Sequence, residues 1–237
     1  NYDGDTTWFD YPQISITQNE FFLTGNKIMF DSSWQAGFRK TVIYQIRKAD
    51  GYTGAASITY RIWDSIQYNN KYLRCLYPLN PADVIPGPAQ YFLSNRNFDV
   101  TNDSVFLVKI PDIIGATDST LTVTPIVSSL PYGVPPNGRQ PDTSATLATN
   151  DGRVLGGFIK GSELQFVSTS INPANGAAAI YLGNISNFNT STTLQGRIFS
   201  IDTLDLAYPN ISYTGNIGGL NQSIISFNYS GPNTYPG

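Results

Sequence analysis

The chain has no histidine, one cysteine and two glutamates among 237 residues, and each scarcity excludes something. Without His the commonest general base and metal ligand are missing, and no Ser–His or Cys–His pair can be built. A single Cys allows no intrachain disulfide; Cys75, inside Leu73-Arg74-Cys75-Leu76-Tyr77, reads as a small buried strand residue. Glu20 and Glu163 each follow the turn between the first two strands of a repeat unit. Positions two units apart do not converge on one glycosidic bond, whose paired carboxylates stand about 5 to 9.5 Å apart. Charged residues make up 13% of the chain, about half the usual share of roughly 25%. The net charge of −3 argues against nucleic acid and anionic membrane surfaces as partners. No apolar run reaches the length of about 18 residues that reads as a membrane-spanning helix. The opening NYDGDTTWFD lacks the basic start and apolar run of a signal peptide. It also lacks Met, so the chain reads as a mature or internal piece of something longer.

Tyr, Phe, Thr, Ser, Asn and Gly fill the space, a strand-and-turn vocabulary. One stretch organises the rest: Asp10 to Asn26, DYPQISITQNEFFLTGN, two short strands around a polar turn. It recurs at Asp205 to Tyr229, where Tyr208-Pro209-Asn210-Ile211-Ser212 matches Tyr11-Pro12-Gln13-Ile14-Ser15 in type. Weaker copies are Arg74 to Pro78 with Gln90 to Asn95, and Arg153 to Thr169. Units are therefore expected near 8–68, 70–130, 150–203 and 204–237, as one domain over 1–237. Each has the strands of a four-stranded antiparallel blade, except the last, which has two. The expected fold class is all-β, a β-propeller. With about three and a half blades where a ring typically needs 4 to 8, it is expected to be part of a larger propeller. Exposed strand edges are a liability that favours the same reading. Helix is expected at most as one turn at Pro111–Gly115. The loops Asn80–Pro88 and Leu130–Asn150 either bridge blades or carry a site.

The D-Y-P-x-I strand, the T-x-N strand that follows it, and the segment Pro135-Pro136-Asn137-Gly138-Arg139-Gln140-Pro141 with Asp151-Gly152-Arg153-Val154-Leu155 resemble repeats of secreted bacterial β-propeller proteins. Gln165-Phe166 stands where those repeats usually carry Trp. The resemblance implies a protein exported to the surface of gliding or polymer-degrading Gram-negative bacteria through type IX secretion. It implies fold and an extracellular or outer-surface location more than chemistry, and no sorting tag is visible.

Candidate site residues come from strand entries and loops. Asp10, Asp151 and Asp205 each precede a first strand. If first strands line a central channel, their oxygens gather at its mouth and suit Ca²⁺, Mg²⁺ or a polar ligand. The alternative is that each caps its turn by accepting a backbone N–H. Arg74 and Arg153 also stand at strand starts, where a sialidase-like propeller uses Arg to hold a carboxylate. The S-x-D-x-G-x-T-W box of that family is missing, since in NYDGDTTW the glycine follows Asp3 directly. Asp3-Gly4-Asp5 is too short for an EF-hand loop. Trp8 and Trp63 fall in alternating strand patterns and are expected in the core. Trp34 and Tyr132 are expected in loops, as ligand contacts. Six N-x-S/T triplets, at Asn102, Asn184, Asn189, Asn210, Asn221 and Asn228, are not read as glycosylated in a bacterial protein.

The ligand-binding candidates are thus Asp10, Asp151, Arg153, Asp205, Trp34 and Tyr132. No catalytic residue is assigned, and no cofactor is expected, Ca²⁺ being the ion that converging Asp oxygens would suit. Three functions compete. The first is a non-enzymatic interaction or adhesion module, with a protein or glycan partner, the remaining blades or the export machinery as its neighbours. The second is a carbohydrate-active enzyme, a glycoside hydrolase or lyase pairing Asp10 with Asp151 or Asp205. The third is an architectural subunit of a surface assembly.

Overall fold

A computed structural model describes residues 6–84, 87, 89–111, 113–115, 120–142, 145–190, 192–217 and 220–237. Among them the chain is all-β apart from one five-residue helix. A first antiparallel meander runs β1 (Thr7–Ile16), β2 (Glu20–Met29), β3 (Phe38–Arg47) and β4 (Tyr60–Trp63), with α1 (Lys48–Tyr52) between the last two. A small hairpin follows, β5 (Gln67–Tyr68) and β6 (Lys71–Tyr72). Its turn residues Asn69 and Asn70 have φ of 49° and 60°, the left-handed pair that a type I′ turn requires. Then come β7 (Tyr77–Pro78), β8 (Asn80–Pro81), β9 (Ala89–Asn95), β10 (Asn102–Pro111) and β11 (Thr122–Tyr132). A further meander is β12 (Val154–Lys160), β13 (Glu163–Ile171), β14 (Ala178–Ser186) and β15 (Thr193–Phe199), and a hairpin β16 (Asp205–Ile217) and β17 (Leu220–Ser230) ends the chain.

The second and third groups are not separate sheets. Their hydrogen-bonding order is β7-β9-β10-β11-β15-β14-β13-β12-β8. They join through a parallel pairing at Ser128↔Leu194, where Ser129 Oγ also accepts the Gly196 N–H at 3.1 Å. The first and last strands of this order, β7 and β8, have only Leu79 between them in sequence.

The contacts divide the chain into two units. In the first, register places Thr24, Ile43 and Trp63 opposite one another across β2, β3 and β4. Phe22, Ile43 and Trp63 therefore share a face and pack on Leu73, Leu76, Phe92, Phe106 and Val108. In the second, Phe158, Val167 and Ile180 of the β12–β14 face bury Leu206 and Ile211 of β16. Burying each such side chain contributes roughly 1.5–3 kcal/mol, so each face holds its own unit together.

A single junction recurs. One matched pair in each group, Gln13↔Thr24, Tyr77↔Leu93, Gly156↔Val167 and Asn210↔Ser226, sets the count. Two residues earlier on the first strand stand Tyr11, Cys75, Val154 and Tyr208. Tyr11, Cys75 and Tyr208 are left-handed, with φ of 53°, 51° and 50°, and β1, β12 and β16 each bulge there. Two residues later on the second strand stand Asn26, Asn95, Thr169 and Asn228. The first three bond the next first strand. Asn26 Oδ1 accepts the Cys75 N–H at 3.0 Å, Asn95 Nδ2 donates to the Gly152 carbonyl at 2.7 Å, and Thr169 Oγ1 accepts the Tyr208 N–H at 3.3 Å. At Cys75 and Tyr208 the left-handed residue is thus held through its N–H by a side chain of the preceding group, while before β12 the bond falls on Gly152, two residues ahead of the bulge.

Three local expectations change. Trp8, expected in the core, is 38% exposed because β1 is the edge strand of its sheet. The fourth strand of the first unit, which the sequence suggests over Ala56–Ile66, is confined to Tyr60–Trp63, the residues that pair with β3, and α1 takes up part of the connection. Ile113–Gly115 form a bend and turn rather than a helix, and Asp112 lies outside the described residues.

Candidate functional site

Asp151 and Arg153 stand just before β12 and face one another. Arg153 donates from its backbone N and from Nε to Asp151 Oδ1, each at 2.9 Å, and from Nη2 to Oδ2 at 2.6 Å. Their side chains are 1% and 7% exposed. The intervening Gly152 is clamped by Asn95 and by its own N–H bond to Asn97 O. This is a closed bidentate pair, buried rather than presented at a channel mouth.

Asp205, at the start of β16, holds the same place relative to Tyr208 that Asp151 holds relative to Val154. Its carboxylate accepts the Ala178 N–H at 3.2 Å and the Arg139 N–H at 2.8 Å. It is bridged by the Arg139 guanidinium through Nε at 2.8 Å and Nη2 at 3.4 Å. The carboxylate is sealed at 2% exposure while the Arg139 side chain is 52% exposed. Beside them opens a cleft of about 420 Å³, whose lining includes Asn137, Arg139, Asn175, Thr203 and Asp205. Arg139 uses two of its five N–H donors on the carboxylate. The amides of Asn137 and Asn175 and the Thr203 hydroxyl add donors and acceptors, so the cleft can bind a polar, many-hydroxyl ligand.

The other candidates lie elsewhere. Asp10 belongs to the first unit, pairs with Asn26 across the sheet and corresponds by register to Ala207 rather than Asp205. Trp34 is half-buried between β2 and β3. Tyr132, expected in a loop, ends β11 and is 3% exposed. Its hydroxyl donates to Ser104 O at 2.6 Å and accepts the Arg96 N–H at 2.9 Å. Burial pushes its phenol well above the ordinary tyrosine range, and that of Tyr181 moves the same way. Tyr132 is therefore a structural strut, not a ligand contact. Glu20 is buried, with Oε1 accepting the Ile114 N–H at 3.0 Å, and Glu163 Oε2 accepts from Asn221 at 3.4 Å. Asp3-Gly4-Asp5 lies outside the described residues. Among the described residues no three His, Cys, Asp or Glu group to hold a metal ion, and no helix is long and apolar enough to cross a membrane.

Sequence reasoning missed Arg139 as a site residue, although it sits in the Pro135–Pro141 segment. No local signal in the sequence marks it, since its partner Asp205 lies 66 residues away. The chain matches no family model and no curated protein. Among solved structures it is similar to BT0996 in an RGII complex, at 9% identity over 95% of this chain and 71% of that protein, with a TM-score of 0.43. At that score the likeness says nothing of what this chain does.

Proposed function

We propose that the chain is a run of β-propeller blades, secreted or held at the outer cell surface, that binds a partner without turning it over. Support for blades comes from the serial junction: three of the four groups open on a bulged first strand, and each of the later three is bonded at its entry by the second strand of the group before it. The D-Y-P-x-I repeat supports export and an extracellular location.

The observation that carries binding over catalysis is the state of Asp205. Its oxygens already accept four N–H bonds, three of them from Arg139, which leaves them poorly placed to take a substrate proton. A general base must reach that proton at hydrogen-bond distance. What the cleft offers instead is a half-exposed guanidinium, two amides and a hydroxyl, a set suited to the hydroxyls of a glycan. Isothermal titration against a glycan panel tests this. Binding without released product is expected; Arg139→Ala is expected to weaken it at least tenfold, about 1.4 kcal/mol for a charge-assisted hydrogen bond, and Asn175→Ala by several-fold, about 1 kcal/mol for a neutral one. Polysaccharide cleavage that disappears in Asp205→Asn would overturn the reading.

A further inference from the structure

The repeated junction has two complementary faces. On the second strand, Phe22 and Asn26 are 0% and 3% exposed because the following group covers them. Their register counterparts in the last hairpin are Ile224 and Asn228. Ile224 is 60% exposed, and Ser226 and Asn228 beside it are exposed too. On the first strand, Ile211 is 4% exposed because it seats on the group before it, among Phe158, Val167 and Ile180. Its counterpart Ile14 is 61% exposed, and Ile16, counterpart of the packed Tyr213, is 47% exposed. Both halves of the junction are thus present in the chain, and none of the described residues covers either.

We propose that the face of β17 carrying Ile224, Ser226 and Asn228 docks the β1 face, Ile14 and Ile16, of a second copy of this chain. The contact repeats in trans what Asn26 and Cys75, or Thr169 and Tyr208, make within the chain. Asn228 would face the β1 bulge of the second copy from across the interface. Such an interface is heterologous: two copies engaged at both ends close on themselves, and copies engaged at one end extend. The inference rests on the blade reading above but is independent of the glycan cleft.

Analytical ultracentrifugation of the whole chain tests it. The wild type is expected to self-associate. Ile224→Lys and Ile14→Lys, both at exposed positions, are each expected to sediment as monomers while keeping the wild-type circular dichroism spectrum. An equimolar mixture of the two is expected to form a species of twice the monomer mass and no larger, since one intact junction remains. Asn228→Ala is expected to weaken association about tenfold, as the loss of one well-made buried hydrogen bond does. A wild type that stays monomeric at its highest soluble concentration, or an oligomer indifferent to both lysines, would overturn the inference. Neither outcome touches the blade reading, which the stability of an Asn26 variant tests separately.

Discussion

Replacing Asn26 by Ala is the sharpest test of the junction. The Asn26 amide is buried and serves three groups: Oδ1 accepts from the Cys75 N–H at 3.0 Å and from Thr41 Oγ1 at 2.8 Å, and Nδ2 donates to Cys75 Sγ at 3.3 Å. Thr41 keeps an acceptor in Leu73 O at 2.9 Å, so its loss is small. The Cys75 N–H loses the bond that holds a left-handed residue in place, and an orphaned buried donor costs about 1–3 kcal/mol. With about 1 kcal/mol for the remaining bonds, the expected destabilisation is about 2–4 kcal/mol. For a chain of this length that is a fall in Tm of about 5–15 °C. Urea denaturation followed by tryptophan fluorescence reads it, since Trp63 lies in the core beside the junction. The control is Asn228→Ala in dilute protein, the same position on an exposed face, expected within about 0.5 kcal/mol of wild type. If Asn26→Ala is equally silent, the side chain does not hold the bulge and the junction is a coincidence of register.

Asp151→Asn leaves the Arg153 guanidinium buried without its counter-charge, and a loss of about 3–5 kcal/mol is expected in the same denaturation assay. Asp151→Leu with Arg153→Met removes both charges and should recover most of it. Tyr132 and Tyr181 have folded pKa values raised above the ordinary one. Their stabilisation is therefore full below about pH 10, the unfolded value, and lost as pH climbs from there through the raised folded values. Denaturation midpoints should hold level to about pH 9 and then decline, and the decline should be shallower in Tyr132→Phe, once that variant's own lower baseline is subtracted. Gly183→Ala places a Cβ inside the ring of the fully buried Phe166. It should cost about 1–3 kcal/mol as overpacking, whereas Gly161→Ala, with φ of 61° and open space around it, should cost about 1–2 kcal/mol from backbone strain alone.

Much of the strand layout was legible in the chain. Alternation of Val42, Tyr44 and Ile46 against Ile43, Gln45 and Arg47 is a period-2 signal, and β3 (Phe38–Arg47) forms there; the Tyr-Pro copies marked where groups begin. Less legible was what depends on partners distant in sequence. Nothing local to Ser128 or Leu194 announces a parallel bridge that merges two meanders. Tyr132 sits among prolines and reads as a loop residue, yet its hydroxyl bridges two strands. The Asp candidates share a look in sequence, but by register Asp10 stands two residues closer to its strand's matched pair than Asp151 and Asp205 do to theirs. Arg139 shows its role only once folding brings it to a carboxylate 66 residues away.

The left-handed bend at Tyr11, Cys75 and Tyr208 occurs without a glycine at any of them. At Cys75 and Tyr208 an amide and a hydroxyl of the preceding group hold the bend, and a conformation held from outside makes few demands on the residue that adopts it. A large phenol and a small thiol serve equally, so the groups can differ in sequence at this position and keep the same bend. A scan for this architecture in other proteins would do better to follow the holder than the held: an Asn or Thr two residues past the matched position of each second strand.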